Sequence, residues 1–239
     1  MAKKNLVFVH GFRGNHLGLE ELASLFSHDI YNIYVPDLPP AGKNSLARYD
    51  KDSYADFLAN YITSNQIEKP ILIGHSLGSI ITAATAEKFP NLVSSKIIFM
   101  SPISEKPAKF FAMLTPLTAV LPNKLIGYIT TKYLFVPHNK KLFKKTLKTT
   151  YLCGADYTTK SDVFKAAKFS VSHSISDFDF KKQALFLSGE ADRLIPRRKT
   201  EAAVKKYQAK SEYVQNAGHL INYENPKAAA EIIQKYLEN

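Results

Sequence analysis

Short apolar runs alternate with longer amphipathic segments along the first part of the chain. Runs of three or four consecutive apolar residues predict buried strands, and these are Leu6–Val9, Ile33–Val35, Ile71–Ile73 and Ile97–Met100. Segments with helical spacing of apolar residues are Leu17–Phe26, Ser53–Asn65 (with Ser53 as the expected N-cap) and Leu77–Phe89. Because a helix separates each strand from the next, the pattern predicts right-handed crossovers and a parallel sheet.

The alternation stops after the fourth strand and resumes near residue 184. Residues 103–180 show no strand pattern; they carry spaced prolines and many lysines, and we expect several short helices there. The later strands are Ala184–Leu187 and Glu212–Val214, and the later helices are Pro196–Tyr207 and Pro226–Leu237. The prediction is therefore a single α/β domain over residues 1–239. It has a doubly wound, mostly parallel sheet of about six strands, into which a helical cap, residues 103–180, is inserted.

Composition narrows the class of protein. The chain has 239 residues, 45% of them hydrophobic, which excludes a disordered or collagen-like protein. Its one cysteine excludes an internal disulfide framework and a cysteine-based zinc cluster. The most apolar stretch, Phe110–Leu121, is shorter than the ~20 residues of a spanning helix, and Leu6–Val9 is too short for a secretory signal. We therefore expect a cytoplasmic protein.

The formal net charge of +11 raises the question of an acidic partner. Lysine supplies most of the positive charge, whereas phosphate recognition favours arginine. We therefore interpret the charge as compositional, and expect no nucleic-acid partner. Contact with an anionic membrane is not favoured, because it would also need an exposed apolar face, and we expect the apolar face of the insert to turn inward over Ser76.

The segment Gly74-His75-Ser76-Leu77-Gly78 lies where a predicted strand meets a predicted helix. Glycines on both sides of Ser76 allow a tight turn that exposes the serine hydroxyl at its apex. A serine hydroxyl is a weak nucleophile near neutral pH, so it needs a base within hydrogen-bond reach and a group that orients the base.

Two later residues suit these roles. Asp192 follows the strand Ala184–Leu187, and His219 follows the last strand, so both lie at carboxyl ends of strands, where open α/β sheets bind ligands. Glu190 is the competing acid; we prefer Asp192 because the turn is expected to aim Glu190 at solvent. The other histidines lack metal-ligand spacing, and no metal site or organic cofactor is expected.

Taken together, these motifs resemble the α/β-hydrolase superfamily, in its cap-bearing serine hydrolase branch of esterases and lipases. The resemblance rests on Val9-His-Gly-Phe12, on the Ser76 motif, and on Gly189-x-x-Asp192 with His219. It implies a nucleophile at Ser76, an acid at Asp192, a base at His219, and an oxyanion hole formed by the backbone N–H groups of Phe12 and Leu77.

The resemblance implies a serine hydrolase that cleaves a carboxylic ester, or a thioester-like bond, of a small to medium apolar substrate through an acyl-enzyme. Phe111 and Leu114 are candidate substrate-binding residues, because Phe110–Leu121 is apolar enough to line an acyl pocket. Three alternatives stay open: a lipase-like enzyme at anionic membranes, a carbon–carbon bond hydrolase or lyase with the same triad, and a binding protein that kept the fold. The oligomeric state is not predicted.

Overall fold

A computed structural model describes residues 3–106, 121, 123–134, 140–155 and 159–238. Six parallel strands form one sheet in the order β2-β1-β3-β4-β5-β6. The strands are β1 (Lys4–Val9), β2 (Tyr31–Tyr34), β3 (Ile71–His75), β4 (Lys96–Met100), β5 (Gln183–Gly189) and β6 (Lys210–Val214). The predicted strand number and the predicted parallel sheet are both confirmed.

Helices cover both faces of the sheet. Those outside the insert are α1 (Glu20–Ala23), α2 (Lys51–Ser64), α3 (Leu77–Lys88), α7 (Arg197–Tyr207), α8 (Ile221–Glu224) and α9 (Pro226–Glu238). Between β4 and β5 the structure describes α4 (Asn123–Leu134), α5 (Lys140–Ala155) and α6 (Lys160–Ser172), and 3-10 turns lie at His16–Gly18 and Ile175–Asp177. The chain is thus doubly wound, with additional helices between its fourth and fifth strands.

Alternation along each strand divides the core into two layers. In β1, Val7 and Val9 pack with helices α2 and α3, while Leu6 and Phe8 pack on the opposite face with α1 and α9. Because successive side chains of a strand point to opposite faces, a continuous apolar run places apolar residues in both layers of the core, as parallel sheets require. This double burial holds the carboxyl ends of the strands at a fixed edge.

Two helix starts differ from the sequence prediction. Helix α2 begins after Asp50, whose side chain accepts a hydrogen bond from Ser53 N at 2.8 Å, so Asp50 and not Ser53 is the N-cap. The predicted helix Leu17–Phe26 is broken into the first 3-10 turn and the short α1, because Asn15 caps a turn that ends at Leu19. Both corrections concern polar caps that apolar periodicity does not register.

Candidate active site

The tight turn between β3 and α3 places Ser76 at its apex. Ser76 has φ 53° and ψ −116°, a positive-φ conformation that costs a non-glycine residue of order 1–3 kcal/mol. A Cβ at Gly78 would lie only 2.1 Å from the carbonyl oxygen of Val9, so the first turn of α3 packs directly against the end of β1. The segment that follows β1, including Phe12, is thereby held beside the turn.

Ser76, His219 and Asp192 come together in one hydrogen-bonded line. Ser76 Oγ lies 2.9 Å from His219 Nε2, and His219 Nδ1 lies 2.8 Å from Asp192 Oδ2. Because a carboxylate only accepts, Nδ1 carries the proton and Nε2 is left to accept from the serine hydroxyl. The side chains of His219 and Asp192 are 2% and 4% exposed, so this geometry is shielded from water.

Hydrogen bonds at both carboxylate oxygens orient Asp192. Its Oδ1 accepts from the backbone N–H groups of Leu194 (2.8 Å) and Ile195 (3.0 Å), while Oδ2 faces His219. Burial raises the pKa of Asp192, but the contact with His219 and the two backbone donors outweigh burial and lower the pKa below its usual value. The carboxylate therefore stays ionised. Glu190 is exposed, as the sequence analysis expects.

The loop that carries His219 is held at several backbone positions. His219 N donates to the carbonyl oxygen of Leu134, at the end of α4, at 3.0 Å. Glu224 Oε2 accepts from Gly218 N at 2.8 Å and from Leu220 N at 3.1 Å, on either side of the histidine. Sequence reasoning missed Glu224, because nothing in its local pattern indicates that α8 turns back under this loop.

Gly189, at the end of β5, allows the His219 loop to approach the Asp192 turn. A Cβ at Gly189 would lie 1.9 Å from the carbonyl oxygen of Gly218, and this distance is too short for any residue with a side chain. The Asp192 turn is tied to the same loop, since Ala191 N donates to the carbonyl oxygen of Ala217 at 3.0 Å. The acid and the histidine are therefore fixed to each other through backbone contacts as well as through their side chains.

Two further histidines lie at this edge of the sheet without joining the line. His75 Nε2 lies 3.1 Å from the carbonyl oxygen of His219, to which it donates, and burial lowers the pKa of His75 to about 3. His10 Nε2 accepts from Leu38 N at 2.8 Å, and burial lowers its pKa to about 4. His10 thereby ties the segment after β1 to Leu38, and His75 ties the end of β3 to the loop that carries His219.

Ser79 links the turn to the start of the insert, a connection that sequence reasoning did not identify. Its hydroxyl donates to the carbonyl oxygen of Ser76, and its oxygen accepts from Ile103 N at 3.1 Å.

Phe111 and Leu114, the predicted substrate-binding residues, lie outside the described residues. Within the described ranges, no group of three or more His, Cys, Asp or Glu residues is arranged to hold a metal ion. No helix of the described part is long and apolar enough to cross a membrane.

The fold and this turn define a class of protein. A parallel, doubly wound sheet with a serine at a strained strand-to-helix turn is the architecture of the α/β hydrolases. The model of the alpha/beta hydrolase family matches residues 6–232, and the chain belongs to that family. It is accordingly a hydrolase, and the sequence-based assignment of the superfamily and the fold is confirmed.

Relatives of known sequence and structure extend along the whole chain. An uncharacterized hydrolase, YugF, of Bacillus subtilis is 25% identical, covering 99% of this chain and 91% of the relative. A protein named putative esterase/lipase 2 of Mycoplasma pneumoniae is 24% identical, covering 99% of this chain and 90% of the relative. The solved structure of an esterase, EaEST, from Exiguobacterium antarcticum superposes with a TM-score of 0.87 at 15% identity, covering 100% of this chain and 93% of that one. At this identity the structural likeness shows the fold alone.

Proposed function

We propose that this chain is a serine hydrolase that cleaves carboxylic esters of small to medium apolar substrates through an acyl-enzyme. The observation that supports the proposal is the line of two hydrogen bonds, 2.8 Å and 2.9 Å long, that connects Asp192 through His219 to Ser76. Such a line is the arrangement that turns a serine hydroxyl into a nucleophile. The names of the relatives YugF and esterase/lipase 2 agree with hydrolysis as the reaction class.

In the proposed reaction, Ser76 Oγ attacks the ester carbonyl carbon while His219 Nε2 takes the hydroxyl proton. Asp192 keeps Nδ1 protonated and stabilises the imidazolium that forms. The backbone N–H groups of Leu77 and Phe12 hold the oxyanion, and loss of one such donor typically costs ~10²–10³ in rate. The carbon–oxygen bond to the leaving group then breaks, and His219 donates its proton to the departing oxygen.

Water completes the cycle by attacking the acyl group on Ser76. His219 again accepts a proton, now from water, and returns it to Ser76 Oγ as the acid product leaves. Every proton transfer uses the same nitrogen, Nε2, because Nδ1 is occupied by Asp192 at 2.8 Å. Residues 103–180 form the cap of this site in the proposal, with Phe111 and Leu114 lining the acyl pocket.

A covalent probe tests the nucleophile directly. A fluorophosphonate should label the wild-type chain on Ser76 and should fail to label Ser76→Ala. Ser188→Ala is the matched control, since Ser188 is also a buried serine at the end of a strand, and its labelling should be unchanged. Hydrolysis of 4-nitrophenyl acetate should be lost in the same variant that loses labelling. Labelling of Ser76→Ala at another serine would refute the assignment.

A further inference from the structure

Helix α4 presents its apolar face to solvent. Among the described residues, five large hydrophobic side chains are exposed, and four of them are on this helix: Leu125 (43%), Tyr128 (43%), Ile129 (50%) and Tyr133 (41%). Their spacing of three and four residues aligns them in one stripe, which we call the α4 stripe. Isolated exposed hydrophobic residues are ordinary on protein surfaces, whereas a continuous stripe usually marks an interaction site.

The buried face of α4 is the less apolar of the two. It contains Ile126, Gly127 and Thr131, all of which are buried. A helix that only covered the core would place its large apolar residues inward and its threonine outward. The orientation of α4 is the reverse, and it differs from the expectation that the apolar face of the insert turns inward over Ser76.

Positive charge borders the α4 stripe. The sequence from 121 to 155 contains seven lysines and no acidic residue. Lys132 lies beside the stripe, with its ammonium 5.8 Å from the centre of the Tyr128 ring, and Tyr128 contacts Phe143 of α5 with ring centres 6.3 Å apart. The next residues of α5 include Lys144 and Lys148, which are exposed one helical turn apart.

We propose that the α4 stripe and the lysines of α5 dock the protein on an anionic lipid surface. Leucine, isoleucine and tyrosine beside lysine are the side chains of a helix that lies in a membrane interface, with its apolar face ~5–10 Å deep and its cations toward the headgroups. A second copy of this chain fits poorly, because pairing the same face would bring together two sets of lysines without any acidic residue between 121 and 155.

Docking on lipid would place the candidate active site close to the surface. The carbonyl of Leu134, the last residue of α4, accepts from His219 N at 3.0 Å, and Tyr133 Oη lies 3.4 Å from the carbonyl oxygen of Arg193, which follows Asp192. The substrates would then include esters that partition into lipid. That last statement rests on the proposed function, whereas the docking itself does not.

Co-sedimentation of the full chain with vesicles tests the docking. We expect pelleting with vesicles that contain phosphatidylglycerol beside phosphatidylcholine, weak pelleting with phosphatidylcholine alone, and a decrease in binding as salt rises. Leu125→Ser combined with Ile129→Ser should lower the partition coefficient at least about tenfold, because the inserted side chains lose several apolar groups. Lys144→Gln with Lys148→Gln should lower it roughly 25-fold at low salt, at about fivefold per charge.

Matched controls separate the stripe from general surface effects. Ile30→Ser removes the fifth exposed hydrophobic side chain (54% exposed), and Lys51→Gln with Lys227→Gln removes two exposed lysines elsewhere; both should leave binding unchanged. Hydrolysis of a soluble ester should be unchanged in all of these variants, which also reports that they fold. Equal pelleting of the stripe variant and the wild type would overturn the proposal. A wild-type dimer that the stripe variant dissociates would overturn it as well, in favour of self-association.

The Ser76→Ala chain distinguishes failure of the docking from failure of the proposed function. It should pellet like the wild type, since docking needs no hydrolysis. Vesicle binding without any ester hydrolysis by the wild type would support the docking surface and refute the proposed reaction. Hydrolysis of soluble esters without vesicle binding would support the proposed reaction and refute the docking surface.

Discussion

Replacement of Asp192 by asparagine is the most direct test of how His219 is oriented. In the wild type, Asp192 Oδ1 accepts from the N–H groups of Leu194 and Ile195, and Oδ2 accepts from His219 Nδ1. Asparagine has only one oxygen. Two backbone donors compete for it against one imidazole donor, so the amide oxygen should face Leu194 and Ile195, and the NH₂ group should face His219.

That amide orientation inverts the tautomer of the histidine. An NH₂ group opposite Nδ1 requires Nδ1 to accept, which moves the imidazole proton to Nε2. Nε2, 2.9 Å from Ser76 Oγ, then donates and is unable to take the serine proton. In serine proteases the corresponding change lowers turnover by roughly 10⁴, or about 5 kcal/mol of transition-state stabilisation, and we expect a loss of that order here.

The assay is the turnover of 4-nitrophenyl acetate by Asp192→Asn, with Glu190→Gln as the matched control. Glu190 is exposed and lies two residues away, so its replacement should change kcat less than about twofold. Circular dichroism of both variants establishes that they fold. If Asp192→Asn kept more than a tenth of wild-type kcat, or if Glu190→Gln were the more damaged variant, the assigned line of hydrogen bonds would be wrong.

Three further predictions concern stability, loop position and specificity. In the unfolded chain His75 has a pKa near 6.5, whereas burial lowers its pKa in the folded chain to about 3, so the unfolded state binds more protons between these values and the free energy of unfolding falls as pH falls below 6.5. Urea unfolding should therefore show that His75 costs about 2 kcal/mol of stability between pH 7 and pH 5. His75→Gln should remove this loss, and His28→Gln, at an exposed site, should retain it. Glu224→Ala removes the acceptor shared by Gly218 N and Leu220 N, so kcat/KM should fall about 10²-fold because His219 is displaced. Glu224→Gln keeps an oxygen and should differ little from wild type. Glu231→Ala, on the exposed side of α9, should also differ little. Phe111→Asp or Leu114→Asp should raise KM for longer acyl esters more than for acetate, and an equal effect at all acyl lengths would remove both residues from the proposed pocket.

The sheet, and the meeting of the three candidate residues at one of its edges, can be predicted from the sequence because both depend on local patterns. Continuous apolar runs are what a doubly covered parallel strand requires, and the carboxyl ends of such strands meet at one edge, which brings Ser76, Asp192 and His219 together. Glu224 and Ser79 were missed because their roles depend on the path of the chain: Glu224 reaches back to Gly218 and Leu220 from the next helix, and Ser79 bonds Ile103 across the sheet edge.

Helix α4 shows a different limit of sequence patterning. Spacing identifies Leu125, Tyr128 and Ile129 as one face, but the same spacing is compatible with that face turned to the core or to solvent. The decision depends on what the opposite face meets, and here the small residues Gly127 and Thr131 are buried. The spacing of apolar residues therefore predicts that one face of the helix makes a contact, but it does not predict whether that contact is with the protein's own core or with another surface.

Environment, and not residue type, distinguishes the proposed base from the other two histidines at this sheet edge. His10, His75 and His219 are all buried. Burial lowers the pKa of His10 to about 4 and that of His75 to about 3. Of these three rings, that of His219 contacts a carboxylate, at 2.8 Å, so a positive charge that forms there in the proposed reaction has a partner. The neutral His75, whose ring centre lies 5.5 Å from that of His219, supplies a donor to the His219 carbonyl without adding a second cation. A charged group in its place would oppose the imidazolium, and a non-donating one would leave the backbone of His219 less firmly held.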